Sequence, residues 1–434
     1  MCIKKQQHQK EKHANKNTSS NSSVDSKLVF QPTELVITWT TFNATTNSTV
    51  WYGIDKMDQV AYGWQTKFTD DGAEKREIRI HRVKLSNLQS GASYKYHVGS
   101  TDGWSEVFTF TVFPNSSDWT PRLVAFGDLG NVNGRTLARL QDEIQRGQHD
   151  LILHIGDMAY DLEFDNGRVG DQFMRQIEPM AAYVPYQTIP GNHERGYNFS
   201  HYKNRFSMYS EGDDGRAMSN FFWSYNIGPI HLIAFTTEFL YYTQFGTHQI
   251  DNQLRFLKAD LKEANKPENR ALRPWIVVTG HRPMYTQFYV NEIIRVGNEF
   301  GQGYEELFYK NGVDLMLFAH EHLYERHWPL YNRTVFKKDG DQQASYTNPL
   351  APISITTGSA GCTLRPPLVL EQLPEYTAFS VNDYSFTHLI ANLTHIRIQQ
   401  ISEDQGGKVV DDFYVIKETP NPAWLPVTQK ANDA

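Results

Sequence analysis

Five short motifs contain residue types that could bind metal ions. In chain order they are GDLG (127–130), GDMAY (156–160), GNHE (191–194), VTGH (278–281) and AHEH (319–322). Each motif follows an apolar run that is predicted to form a strand. Loops beyond the carboxyl ends of strands in an open α/β sheet meet in one crevice, so these distant side chains can converge there. The sequence therefore predicts a single site built from all five motifs.

The donor atoms of this site indicate which metals it would bind. The set contains two carboxylates, three imidazoles, an amide and a phenol, and no thiolate, which suits a pair of hard or borderline cations. A trivalent and a divalent ion would outweigh the negative charge of the carboxylates and a phenolate. Such a pocket attracts a phosphate ester and lowers the pKa of bound water. The candidate ligands are Asp128, Asp157, Tyr160, Asn192, His281, His320 and His322.

With these motifs the sequence resembles the purple acid phosphatases, of the animal and plant high-molecular-weight type, within the metallophosphoesterase superfamily. The family pattern is GDxG, GDxxY, GNH, VxxH and GHxH. The one departure from it is Ala319, which replaces the last glycine. Because alanine is small and binds no metal, we expect this departure to have little consequence. The resemblance covers nearly the whole chain.

The resemblance implies a binuclear centre of Fe(III) and a divalent ion, which would be iron, zinc or manganese. The implied reaction is hydrolysis of phosphate monoesters by a metal-bound hydroxide that attacks phosphorus. Asn192 and His193 are the predicted substrate-binding residues, and His193 is the predicted proton donor to the leaving group. The implied Fe(III) ligands are Asp128, Asp157, Tyr160 and His322, and the implied divalent-ion ligands are Asp157, Asn192, His281 and His320.

Two positions distinguish this chain from most metallophosphoesterases. Most members of the superfamily have a histidine two residues after the first aspartate, whereas this chain has Gly130. Tyr160, three residues after Asp157, would supply the missing ligand as a phenolate that favours Fe(III). In plant members a further pair of histidines follows the VxxH motif, but the corresponding segment here, RPMYTQFYVNEII, contains none. Substrate contacts on that side therefore cannot be assigned by resemblance.

Two other classes of function fit the sequence less well. A phosphodiesterase or protein Ser/Thr phosphatase would require the usual superfamily ligands, which Gly130 and Tyr160 contradict. A non-catalytic adhesion-type protein with a degenerate site should have lost a ligand, and none is lost.

Glu194 and Glu321 are flanking carboxylates that are candidates for supporting roles. Structural roles are expected for the remaining conspicuous residues, which are His154, His201, His231, His327 and Cys362.

The elements that must position the motifs fall into two predicted domains. Residues 28–114 show short alternating runs separated by turn residues, which predicts a β-sandwich of the fibronectin type III kind. After the linker PNSSDWTP, residues 120–417 alternate strands and helices, which predicts a layered α/β domain with a mixed sheet. The resemblance implies that this is a four-layer α/β metallophosphoesterase domain with mixed sheets. Residues 1–27 are predicted to form a disordered polar tail. The Pro-rich residues 418–434 are predicted to form a C-terminal tail.

Composition excludes several partners. A net charge of −7 with no basic block in the folded part argues against nucleic-acid binding, and no apolar run could span a membrane. The chain has only two cysteines, Cys2 and Cys362, so no disulfide framework supports the fold. The sequence does not indicate an oligomeric state. The expected partner is a phosphate-ester substrate.

The resemblance implies a secreted or lysosomal glycoprotein. Residues 1–27 contain no apolar stretch typical of a signal peptide. We therefore expect a truncated or misassigned start, which would leave an edge of the sandwich unpaired and make the front domain the less stable one. The predicted glycosylation sites are Asn43, Asn47, Asn115, Asn198, Asn332 and Asn392.

Overall fold

A computed structural model describes residues 2–3, 33–208, 220–337, 344–362 and 369–422. The predicted tail at 1–27 therefore lies outside the described residues apart from Cys2–Ile3. The predicted tail at 418–434 is described only as far as residue 422.

The front part of the chain is rich in β-structure. Its strands form two sheets in the orders β1-β2-β6-β5 and β4-β3-β7-β8, and β9 also pairs with β7. In β7 the side chains of Tyr94 and Tyr96 are buried and that of Lys95 is exposed, as expected for a pleated strand with one face on a core. The strands are β1 Cys2–Ile3, β2 Leu35–Thr41, β3 Thr49–Gly53, β4 Gln59–Tyr62, β5 Trp64–Thr69, β6 Glu77–Leu85, β7 Ser93–Ser100, β8 Gly103–Trp104 and β9 Phe108–Thr111.

Within the described residues, β2 is paired on both sides, with β6 and with the short strand β1. Cys2 and Ile3 pair in parallel with Thr40 and Thr41. The prediction of a β-rich front domain is confirmed, and its likeness to fibronectin type III stays a prediction.

The rest of the chain forms two seven-stranded sheets. Their orders are β12-β11-β10-β25-β26-β27-β22 and β13-β14-β15-β18-β23-β19-β24, and two separate two-stranded sheets consist of β16 with β17 and of β20 with β21. The strands are β10 Arg122–Phe126, β11 Leu151–Ile155, β12 Tyr186–Ile189, β13 Trp223–Ile227, β14 Ile230–Ala234, β15 Trp275–Thr279, β16 Gly297–Asn298, β17 Gly301–Gln302, β18 Leu315–Phe318, β19 Tyr324–His327, β20 Leu330–Tyr331, β21 Thr334–Val335, β22 Ser345–Thr347, β23 Ile353–Thr357, β24 Thr377–Val381, β25 Ser385–Ala391, β26 His395–Ser402 and β27 Lys408–Ile416.

Both sheets are mixed, as the sequence predicted. Strands β10, β11 and β12 run parallel in the first sheet, as do β14, β15, β18 and β23 in the second. The other pairs in both sheets are antiparallel, except that the edge strand β22 pairs in parallel with β27. All five residues of β11 and of β15 are buried, which is typical of parallel strands covered on both faces. One hydrophobic core includes residues of both sheets, so the strand ends are held in a fixed relation.

Helices follow several of these strands. In α4 the apolar residues Ile250, Leu257 and Leu261 recur at helical spacing and are buried. Short 3-10 helices occur at Asn192–Glu194, Glu238–Leu240 and Thr243–Phe245. The α-helices are α1 Leu137–Gln145, α2 Phe164–Ala181, α3 Gly196–Arg205, α4 His248–Ala264, α5 Pro267–Leu272, α6 Glu292–Arg295 and α7 Glu305–Lys310.

No helix within the described ranges is both long enough and apolar enough to cross a membrane.

Buried polar contacts join the front sheets to the second part of the chain. His201 of α3 donates from Nε2 to Oδ1 of Asp70 across 2.7 Å, and both side chains are buried. Burial, together with the positive charge of Arg205, lowers the pKa of His201 to about 4. The imidazole is therefore neutral at neutral pH, and its single ring N–H is committed to Asp70.

We expect Asp70→Ala to lower the free energy of unfolding by about 2 kcal/mol, because the buried N–H of His201 loses its acceptor. Chemical denaturation would measure the loss. Asp71→Ala, at the neighbouring exposed position, is the matched control and should change stability little. Equal stability of the two variants would contradict this account of the junction.

Candidate metal centre

The five motifs lie at the carboxyl ends of strands from both large sheets. GDLG, GDMAY and GNHE follow β10, β11 and β12 of the first sheet, and VTGH and AHEH follow β15 and β18 of the second. Nδ1 of His281, from the second sheet, lies 2.8 Å from the carbonyl oxygen of Ile155 in the first. The two sets of strand ends are therefore in direct contact.

The first group of candidate ligands forms a triangle of donor atoms. The hydroxyl of Tyr160 lies 3.0 Å from Oδ1 of Asp128 and 2.9 Å from Nε2 of His322. Nε2 of His322 lies 3.3 Å from the same Asp128 oxygen. Ligand atoms that share one ion at octahedral angles, with bonds of about 2.1 Å, lie roughly 3.0 Å apart. The triangle has the spacing that a single ion requires.

The second group surrounds His281. Its Nε2 lies 3.3 Å from Oδ2 of Asp157 and 3.3 Å from Oδ1 of Asn192. Because Nδ1 of His281 donates its hydrogen to the carbonyl of Ile155, Nε2 presents a lone pair to the group. One potential ligand atom each of Asp157, His281 and His320 lies within 4.8 Å of the others. These side chains fit a second cation.

Four of the candidate ligands have a strained backbone. The φ angles are +59° at Asp128, +51° at Asp157, +52° at Tyr160 and +70° at His320. A left-handed conformation costs a residue other than glycine on the order of 1–3 kcal/mol when it lies in a sparsely populated region. Strain of this kind clusters at functional sites, where the surrounding structure holds side chains in positions that the chain alone would avoid.

The structure explains why the usual histidine ligand is absent. Gly130 has a φ of +78°, and a Cβ atom at this position would lie 2.8 Å from Cα of Cys362. A histidine at position 130 would therefore collide with backbone. Ala319, the departure from the family pattern, packs against Gly127. A Cβ atom at position 127 would lie 2.4 Å from the Cβ of Ala319, so the glycine leaves room for the alanine.

Electrostatics at Tyr160 couple its ionisation to cation binding. Burial and the negative charges of Asp128 and Asp157 hold the pKa of the phenol well above its ordinary value. A phenolate at this position would therefore require a neighbouring positive charge, and binding of a cation would favour release of the phenol proton. The donor set thus fits an ion that compensates the two buried carboxylates.

Glu194 connects two of the motifs. Its buried carboxylate accepts hydrogen bonds from the backbone N–H groups of Asp157, Met158 and Gly191, at 2.8, 2.9 and 2.8 Å. It therefore fixes the GDMAY loop against the GNHE loop. The expectation that Glu194 supports the site has a structural basis. Glu321 instead accepts a hydrogen bond from the hydroxyl of Tyr289 at 2.6 Å.

The structure adds three partners that the sequence did not identify. Oδ1 of Asp161, directly after GDMAY, lies 2.7 Å from Nδ1 of His193. Arg282, directly after VTGH, contacts His320. Cys362 is buried, as expected, but its Sγ also lies 3.4 Å from Nδ1 of His322. Adjacency to a motif was the only signal in the sequence for the first two, and no local pattern pointed to the third.

The histidines expected to be structural have partners away from the centre. His154 contacts the hydroxyl of Tyr186 at 2.7 Å, and His231 contacts Asp260 at 2.9 Å. His327 pairs with Glu325 at 3.1 Å.

A separate cluster joins His149 and His388 to one oxygen of Glu143. Each Nε2 lies 2.9 Å from Oε2 of Glu143. Both contacts are satisfied by imidazole N–H groups that donate to a carboxylate.

Comparison with known proteins supports the interpretation of the motifs. Residues 23–112 match the family model described as purple acid phosphatase, N-terminal domain. Residues 121–324 match the calcineurin-like phosphoesterase model, and residues 351–412 match the model of an iron/zinc purple acid phosphatase-like protein C.

Relatives of similar length were found among animal proteins. Acid phosphatase type 7 of Danio rerio is 46% identical over 407 residues, covering 90% of each chain. The Homo sapiens protein of the same name is 46% identical, covering 89% of each chain. A solved structure of a purple acid phosphatase from yellow lupin seeds matches with a TM-score of 0.74 at 23% identity, covering 89% of this chain and 72% of the lupin chain. The structural match supports the fold.

We expect Glu194→Ala to weaken metal binding by about tenfold or more, because the loops that carry Asp157 and Asn192 lose their shared anchor. Metal content after dialysis, measured by elemental analysis, would show the loss. Glu268→Ala, on the exposed surface of α5, is the control. Full metal retention by Glu194→Ala would show that the anchor is dispensable.

Proposed function

Since this chain belongs to the purple acid phosphatase family, we propose that it hydrolyses phosphate monoesters at the centre formed by its five motifs. The observation that carries the proposal is the triangle of Asp128, Tyr160 and His322 beside the group around His281, with donor atoms 2.9–3.3 Å apart. Relatives named acid phosphatase, at 46% identity over most of their length, support the same reaction.

The family uses a dinuclear metal centre, and we propose Fe(III) with a divalent ion of iron, zinc or manganese. When bound, the two cations would supply positive charge for the phosphate and lower the pKa of water so that hydroxide forms at mildly acidic pH. The phenol of Tyr160 supports Fe(III) as the ion held by Asp128, Tyr160 and His322. The match to an iron/zinc family model supports this metal pair. The proposed ligands are Asp128, Asp157, Tyr160 and His322 for iron, and Asp157, Asn192, His281 and His320 for the divalent ion.

His193 is the proposed proton donor to the leaving group. Its backbone N–H donates to Oδ1 of Asp157 at 2.8 Å, and its ring packs 4.3 Å from that of Tyr160. Because Nδ1 of His193 is hydrogen-bonded to Asp161, Nε2 is the ring nitrogen that would contact the substrate. Burial disfavours the imidazolium, but the hydrogen bond to Asp161 and the charge of Asp157 outweigh it, so the pKa of His193 is raised. An imidazolium at acidic pH is the form that can donate a proton.

The alternative functions lack a supporting observation. Every ligand that the family pattern requires is present, which argues against a degenerate adhesion-type protein. The close approach of Cys362 to Gly130 leaves no room for the histidine ligand of phosphodiesterases and protein phosphatases.

We also propose that the chain passes through the secretory pathway to a secreted or lysosomal location. All six predicted glycosylation asparagines are exposed, which makes them accessible to a glycosyltransferase. They are Asn43, Asn47, Asn115, Asn198, Asn332 and Asn392.

Purified protein should contain iron, absorb visible light and hydrolyse p-nitrophenyl phosphate at mildly acidic pH. Tyr160→Phe should lose the visible band, because the band would arise from charge transfer between phenolate and Fe(III). Absorption spectroscopy together with elemental analysis would test both statements. A colourless, iron-free and inactive preparation would overturn the proposed function, whereas a Tyr160→Phe variant that kept its band would overturn only the phenolate assignment.

His193→Ala should lower kcat strongly while two metal ions per chain are retained. Asp161→Asn should move the alkaline limb of the kcat profile to lower pH by about one unit, because loss of the carboxylate lowers the pKa of His193. The sign follows from the role of the imidazolium, which deprotonates as pH rises through that pKa. Loss of metal in His193→Ala would indicate a structural role instead.

A further inference from the structure

Arg282 occupies the side of the centre where no substrate contact could be assigned by resemblance. It directly follows His281 at the end of β15, and 14% of its side chain is exposed. The histidine-free segment RPMYTQFYVNEII begins with this residue.

The guanidinium of Arg282 is held in place by residues outside the candidate metal ligands. Its Nε donates to both carboxylate oxygens of Glu238, at 2.9 and 3.1 Å, and the Glu238 side chain is fully buried. The guanidinium carbon lies 4.3 Å from the centre of the Tyr241 ring, and the backbone N–H of Arg282 donates to Oγ1 of Thr237 at 3.0 Å. The buried carboxylate compensates the positive charge, so the arginine can lie beside metal ligands. These contacts set the direction of the remaining N–H groups.

One of those N–H groups points at a candidate ligand. Nη1 of Arg282 lies 2.9 Å from Nε2 of His320. A guanidinium only donates hydrogen bonds, so this contact needs a lone pair on Nε2. If Nε2 binds a cation, the lone pair is used. If Nδ1 binds it, the neutral ring carries its proton on Nε2. In both cases Nη1 loses its acceptor when His320 becomes a ligand.

The second terminal nitrogen of Arg282, Nη2, is also available for a substrate. Within the described ranges of the chain, Nη2 of Arg282 makes no hydrogen bond. With a cation on His320, both terminal nitrogens would therefore lack an acceptor beside the centre. An anionic oxygen is the partner that a planar guanidinium binds best.

We propose that Arg282 contacts the substrate, donating to a non-bridging oxygen of the phosphate and thereby favouring monoesters over diesters. A monoester presents one more non-bridging oxygen than a diester and carries more negative charge, so it gains more from this donor. The proposal rests on the function proposed above. It assigns specificity to the segment that lacks the histidine pair of the plant enzymes.

Arg282→Met should lower kcat/KM for p-nitrophenyl phosphate by about tenfold or more, mainly through KM, because a charge-assisted hydrogen bond is lost. The effect on bis(p-nitrophenyl) phosphate should be clearly smaller. Binding of inorganic phosphate to the metal-loaded protein, measured by calorimetry, should weaken along with the monoester. Metal content and the visible band should stay at wild-type values. Arg282→Lys keeps the positive charge but lacks the planar guanidinium. Its kcat/KM for p-nitrophenyl phosphate should lie between those of the wild-type protein and Arg282→Met.

Arg397→Met is the control, since this arginine forms a partly exposed pair with Asp412 far along the chain in β26. Equal losses on monoester and diester, or loss of metal from Arg282→Met and Arg282→Lys, would overturn the proposal in favour of a structural role. Unchanged kinetics would overturn it as well. If wild-type protein hydrolysed neither ester, the proposed function would fail, whereas the phosphate titration would still test Arg282 separately.

Discussion

The site depends on two carboxylates, Asp128 and Asp157, that are buried at the point where two sheets meet. Each is almost completely removed from solvent, and removing a carboxylate from water is costly unless the charge is compensated. Backbone N–H groups of His320 and His193 donate to one oxygen of each, at 2.9 and 2.8 Å. The remaining oxygens face imidazole and phenol groups, which are themselves metal ligands in character. Cations are the natural compensation for this arrangement.

The protein meets this constraint by making the surroundings rigid. One hydrophobic core spans both sheets, so the strand ends cannot separate to relieve repulsion between the carboxylates. The positive φ angles at four candidate ligands show that tertiary packing overrides local preference. The oxygens of Glu194 accept hydrogen bonds from three backbone N–H groups, so this buried side chain fixes loops instead of competing for an ion.

Two of the candidate histidine ligands are in turn oriented by a neighbour of different chemistry. His281 is held by the carbonyl of Ile155, and His322 lies against the sulfur of Cys362. Such outer contacts set ring orientation and the nitrogen that faces the ion. The backbone of Cys362 also excludes a side chain at Gly130, so one short segment both supports His322 and leaves Tyr160 to provide the remaining donor.

The sequence by itself determined the candidate ligands and the mixed-sheet fold. Apolar runs such as 151–155 and 275–279 identify buried strands, and polar residues directly after them must lie at strand ends. Only the tertiary structure decided which groups orient those ligands. Cys362 is 40 residues from His322, and Glu238 is 44 residues from Arg282, with no periodicity to connect them. Strand patterns report burial and spacing along one element, whereas hydrogen-bond partners depend on how separate elements pack, which local pattern does not encode.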